Sequence, residues 1–179
     1  MKDTFHIVLA ICTLFLLGFT PKTTQSTQSS VSFKIKNAGI NVDGSFADVE
    51  SKIVYDSLKP EKSSFEGIIK VKSIQTGIDM RDDHLKDSEY FDSKNYPEII
   101  FKSYLVKSLD KNKLEITGNL TIKKTTKPIK IIVHVIRQGK SVKFSSSFVI
   151  NRLNFGVGKS SWTLSDNVTL NVNSILNLL

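Results

Sequence analysis

Apolar and polar side chains alternate with a period of two along most of this chain, and that rhythm decides much of what it can fold into. Val31, Phe33 and Ile35 share one side of "VSFKI". Phe65, Gly67, Ile69 and Val71 share one side of a later stretch, with Glu66, Lys70 and Lys72 opposite. Ile99, Phe101 and Leu105 follow, and then Leu114, Ile116, Leu120 and Ile122 alternate with Glu115, Thr117, Asn119 and Thr121. Ile129, Ile131, Val133 and Val135 oppose Lys130, Ile132, His134 and Ile136. The pattern closes with Val142, Phe144, Phe148 and Ile150, and with Val168, Leu170 and Val172. Successive side chains point to opposite faces only in an extended strand, so each stretch predicts a strand with a buried face. Between them "GINVDG", "LDKNK", "RQGK" and "LSDN" supply the Gly, Asn and Asp that tight reversals use. About seven or eight antiparallel strands in one open sheet would leave long unpaired edges, which a sandwich or a closed barrel avoids.

Several strands are apolar on both faces, as at Ile132, Ile136 and Val149. A barrel of about eight strands has an interior that side chains can fill or that can hold one ligand. The alternation alone leaves a filled core and an occupied hollow both open. The chain has 179 residues, 40% of them hydrophobic and 23% charged, which fits one globular domain.

The first residues stand outside that domain. Residues 7–19 form an apolar run too short for the roughly twenty residues a membrane-crossing helix needs, behind a weakly basic start. Residues 1–22 therefore predict a signal peptide cleaved somewhere in 20–30, residues 23–30 a short flexible tether, and residues 31–179 the barrel domain. A periplasmic or secreted destination follows. Cys12, the one cysteine, lies inside the leader, so the processed chain forms no disulfide and no thiolate metal site. The net charge of +8 is spread along the chain, with a local group at Lys123, Lys124 and Lys127. That favours transient contact with an anionic membrane surface, whereas nucleic-acid binding would need a focused basic stripe.

One region breaks the rhythm. "TGIDMRDDHLKDSEYFDSKNYP" predicts a short helical excursion at about 79–92, with Asp79 as its cap and Asp82, Asp83 and Asp87 on a solvated face. Arg81 is expected to pin the excursion to the barrel, and His84 to face partly inward near Met80 and Leu85. Metal binding is not expected, because the processed chain offers only His84 and His134 and lacks a glycine-turn calcium loop. No catalytic residues are assigned: Ser–His–Asp context and glycine-rich nucleotide loops are missing.

The ordered segments "IKNAGINVDGSFADVESKIVYD", "IKVKSIQTGIDMRDDHLKDSEYFDSKNYPEIIFKS", "ITGNLTIKKTTKPIKIIVHV" and "FVINRLNFGVG" with "SWTLSDNVTLNVN" resemble the YceI-like family. These are lipocalin-like secreted bacterial proteins associated with polyisoprenoid binding. The resemblance implies an all-β, extended antiparallel eight-stranded barrel holding a long isoprenoid or isoprenoid-quinone-like lipid, without another cofactor. Carried over, it implies a mouth formed by Arg81 and His84, with Leu85 and Phe91 beside them, and by Asn37 and Arg152. Asn37 stands where many members have histidine, and "KKTTK" is more basic than the usual central turn, which bears on the head group.

The interior candidates are Phe33 and Ile35, Ile69 and Val71, and Phe101 in the first half of the barrel. Ile116 and Leu120, Ile131 and Val133, Phe144 and Phe148, Phe155, and Leu170 continue them in the second half. Arg152 is read equally as a strand brace and as a ligand contact. The leading expectation is a lipid-binding, possible lipid-carrying protein. The alternatives are an enzyme acting on such a lipid and a ligand-free structural or stress-related protein. Monomer and homodimer both remain open.

Overall fold

The computed structural model describes residues 27–178, so the leader and the first part of the tether lie outside the described residues. The strands are β1 (Thr27–Asn37), β2 (Ile40–Phe46), β3 (Val49–Val54), β4 (Ser64–Lys70) and β5 (Ile74–Gln75), then β6 (Glu98–Asp110), β7 (Lys113–Ile122), β8 (Thr125–Gln138), β9 (Ser141–Asn151) and β10 (Leu164–Asn177). The helix α1 (Asp79–Lys86) separates β5 from β6.

These ten strands make eight passes around one antiparallel barrel. Val49 pairs with Ile69, while Phe46 pairs with Ile74, so β2–β3 and β4–β5 are two bent passes hydrogen-bonded to each other. At their shared corner Ala47 N–H donates to Ser73 O at 3.0 Å and Lys70 N–H to Asp48 O at 3.1 Å. β1 pairs with β2 on one side and β10 on the other, and β4, β6, β7, β8, β9 and β10 follow in order. The ring closes through the β3–β4 ladder and the short β2–β5 ladder, while β3 runs beside β1 without ladder hydrogen bonds. Eight was the expected number of passes; the corner at 47–48 and the 3₁₀ turn Val71–Ser73 raise the strand count to ten.

Three boundaries differ from the sequence reading. β1 begins at Thr27, paired with Leu176, so 27–30 belong to the barrel and not to a tether. Their alternation is written in Ser and Thr, which composition reads as linker. "GINVDG" is mostly strand β2, and the reversal is confined to Ala38 and Gly39, with φ of 49° and 79°. "LSDN" opens β10 as an irregularity in its register with β1, between Asn37↔Leu164 and Ile35↔Val168.

The barrel is solid at one end. Val106, Leu114, Val135, Val142 and Leu176 are each at most 6% exposed, and they pack as a plug with Phe144, onto which Tyr55 and Phe65 stack edge-to-face. Toward the other end, Val31, Phe46, Ile74, Ile99, Leu120 and Ile122 form a second cluster beneath α1 and its following loop.

Candidate functional site

Between the two clusters lies a hollow of about 380 Å³. Its wall is built from the inward positions of the period-two pattern. Phe33 and Ile35 come from β1, Ile69 from β4, Phe101 from β6, Ile116 and Leu120 from β7. Ile131 and Val133 follow from β8, Phe144 and Phe148 from β9, and Leu170 from β10. Two interior candidates are corrected. Val71, 1% exposed, opens the 3₁₀ turn where the chain leaves the barrel wall, and Phe155, 3% exposed, ends the 3₁₀ turn Arg152–Phe155. Both pack within the upper cluster and neither borders the hollow.

At the mouth the hollow meets Asn37, Thr76, Arg81, His84, Leu85, Phe91 and Arg152. α1 has no side-chain N-cap; Ile78 supplies the cap position, and its carbonyl accepts from the backbone N–H of Arg81 and Asp82. Asp79 is thus the first helical residue and not the cap. Arg81 shares the anchoring with the residue after it. Asp82, 8% exposed, accepts hydrogen bonds from both the backbone N–H and the hydroxyl of Thr76. Arg81 donates from Nε to Thr76 Oγ1 and from Nη2 to Thr76 O, each at 2.7 Å. The expected solvated face therefore holds Asp83 and Asp87 but not Asp82, whose carboxylate is buried because Thr76 satisfies it. Arg81 pins the helix as the sequence implies, and its Nη1 makes no hydrogen bond among the described residues.

His84 is the wetter partner. Its side chain is 58% exposed, edge-on to Tyr90 at 5.0 Å between ring centres and 4.0 Å from Glu89 Oε2. Met80 is exposed and does not join it on an inward face. Phe91 turns in and meets Phe46 edge-to-face at 6.3 Å, so the loop after α1 roofs the hollow with an aromatic. That loop is tied down: Gly158 N–H donates to Glu89 O, and Lys123 Nζ donates to Ser88 O and Gly156 O.

Arg152 is 4% exposed, and all three guanidinium nitrogens are committed. Nε donates to Ser165 O, Nη1 to Val157 O, and Nη2 to Lys159 O, with Asp166 Oδ1 3.2 Å away. It borders the hollow as the brace of the loop between β9 and β10. Asn37 stands at the end of β1, opposite Leu164 in register and exposed.

The family profile of the YceI-like domain matches residues 23–175. This chain belongs to the YceI-like family. A UPF0312 protein of Pseudomonas syringae pv. tomato is 32% identical over 149 residues, which is 78% of each chain. Among solved structures, BcnA of Burkholderia cenocepacia superposes with a TM-score of 0.79 at 28% identity, over 82% of this chain and 95% of that one. A polyisoprenoid binding domain from Saccharophagus degradans superposes with a TM-score of 0.70 over 84% of this chain and 94% of that one, at 13% identity, and shows the shared fold. The YceI-like fold here thus comes with a hollow interior and a short helix over its opening.

Sequence reasoning missed the polar lining of the YceI-like barrel. Ser29, Ser51, Ser146 and Ser174 border the hollow, and each continues an apolar alternation, two residues from Val31, Ile53, Phe144 and Val172 respectively. Reading the alternation by position and not by hydropathy would have found them. The exposure of Ile40, Ile78 and Trp162 was missed too, and Met80 was expected beside His84 on a partly inward face. Each is more than half exposed, and each lies within two residues of a mouth or lining residue: Val42, Thr76, Arg81 and Leu164. Among the described residues no group of three or more His, Cys, Asp or Glu side chains is placed to hold a metal.

Proposed function

We propose that this protein binds and carries a long apolar lipid of the isoprenoid or isoprenoid-quinone type in the barrel interior. The observation that carries the reading is the hollow itself, about 380 Å³ and walled mainly by Phe, Ile, Val and Leu. An empty apolar cavity destabilises a protein by about 24 cal/mol per Å³, so a sealed void of this size would cost roughly 9 kcal/mol, comparable to the whole stability of a domain. The open mouth lowers that figure, but evolution would more cheaply have filled the space with side chains. A hydrocarbon chain offsets the cost, since each buried methylene gains about 0.8 kcal/mol on leaving water. Arg81 Nη1 and the exposed His84 suit a polar head group held at the mouth. The relative described as a polyisoprenoid binding domain shares the fold and supports the same ligand class.

An export signal at 1–22 and a periplasmic or secreted location are part of the proposal. So is loading from a membrane, with the apolar rim of Ile40, Ile78, Met80 and Trp162 as the contact. Organic extraction of the exported protein, followed by mass spectrometry, tests the central claim. A prenylated or similarly long apolar compound at near-stoichiometric yield is expected. An empty extract from a host that makes such lipids would return the ligand-free structural reading.

A further inference from the structure

Away from the mouth the wall of the hollow is mainly apolar, and on one side of it three hydroxyls meet. Ser29 Oγ lies 2.6 Å from Ser51 Oγ and 2.8 Å from Ser174 Oγ, joining β3, β1 and β10 where β1 and β3 exchange no ladder hydrogen bonds. Three hydroxyls hold three protons, and two links use two of them. Whichever way the protons run, one of the three hydroxyls keeps a proton with no acceptor among the described residues. Ser174 is 8% exposed, so that proton is costly to leave unmatched.

There is also room beside the row. Three strand glycines face inward, and rings occupy the space at two of them: a Cβ on Gly44 would meet Phe33 at 2.2 Å, and one on Gly118 would meet Phe101 at 2.5 Å. Gly67, opposite Ser51 in register, is different. A Cβ there would meet only the carbonyl of Glu50, at 4.0 Å. Space and an unmatched donor therefore coincide. The basic side chains that border the hollow, Arg81, His84 and Arg152, all stand at its mouth, so an anion buried here would find no counter-charge among the described residues.

We propose that Ser29, Ser51, Ser174 and the gap at Gly67 form a second, inner subsite that receives an uncharged oxygen, a hydroxyl or a carbonyl, borne by the lipid far from its head group. This rests on the lipid-binding reading and narrows it to a chain oxygenated at both ends. Ser29 precedes Asn37 by eight residues of β1, roughly 26 Å of strand and about 20 Å along the axis of a barrel with strands tilted by about 40°, a span of about sixteen carbons.

Calorimetric titration of the delipidated protein with hexadecanoic acid, 16-hydroxyhexadecanoic acid and hexadecanedioic acid tests it. The hydroxy acid is expected to bind the unaltered protein at least as tightly as the plain acid, and the diacid more weakly than either. In the triple variant Ser29→Ala/Ser51→Ala/Ser174→Ala, the hydroxy acid should lose about tenfold or more relative to the plain acid, which serves as the folding control. Ser51→Ala alone should keep the preference, because the remaining pair still has one spare proton. If the triple variant does not fold, Gly67→Val should abolish the preference while retaining dodecanoic acid. A hydroxy-to-plain ratio that is the same in the unaltered protein and in the variant that fills or strips the subsite overturns the inner subsite alone. Failure of every acid to bind overturns the subsite, and an empty organic extract beside it removes the lipid reading as well.

Discussion

At the scale of single residues, two arginines read alike in the sequence have different occupations. Arg152 spends all its nitrogens on the loop that follows it and on the start of β10, and its substitution should act on folding and not on ligand affinity. Arg152→Lys supplies one ammonium where a planar fork reached five residues, so several carbonyls lose their donor. A destabilisation of about 3 kcal/mol is expected, read by denaturant unfolding, with little change in the affinity of whatever fraction remains folded. Arg81 divides its nitrogens between Thr76 and the hollow. Arg81→Lys should therefore weaken binding of a ligand with an anionic or carbonyl head by about tenfold while stability falls by less than for Arg152. Titration beside unfolding of both variants checks the contrast.

At the scale of elements, α1 is held by a contact that periodicity does not register. Its apolar residues are few, and its anchor is a carboxylate six residues past the threonine that satisfies it. Asp82→Ala removes that anchor and leaves the Thr76 donors unmatched, at a cost of about 1–3 kcal/mol. Amide exchange confined to the region from Thr76 to Lys86 should quicken, while the β7–β8 ladder stays protected. The same contrast explains what the sequence could reveal. Strands with an apolar inner face, β7 to β10 above all, were legible because burial and period coincide there. β2 was not, because Gly44 faces inward to admit the Phe33 ring, and that need exists only once β1 lies beside it. The start of β1 was hidden for a related reason: Ser29 points at the hollow and keeps the strand's rhythm without its hydropathy. The mouth pair Arg81 and His84 came from the resemblance, and only geometry separated Arg81, half tied, from His84, largely in water.

At the scale of the molecule, a plug, a hollow and an apolar rim follow one another along the barrel, and each sets an observable. Removal of bound lipid should leave the plug intact and the upper half underpacked. Ligand present at about a hundred times its Kd adds about 2.7 kcal/mol, so delipidation should lower Tm by roughly 5–10 °C, measured by calorimetry and restored by adding lipid back. The rim predicts a surface behaviour. Trp162 and Met80 are 106% and 83% exposed, and aromatic side chains of that kind settle at a membrane interface. Trp162→Ser with Met80→Ser should reduce partition onto zwitterionic vesicles severalfold in a flotation assay. Salt should weaken only the extra binding seen with anionic lipid, where the lysines contribute. Finally, the ring is sealed by its first and last strands: Ser29 touches Ser174 across 145 residues of sequence. A chain made amino terminus first must hold β1 without its carboxy-terminal neighbour until almost everything else has been made. Closure is then the slow, late event of folding, and the proposed oily guest would have its widest way in before the last seam zips shut.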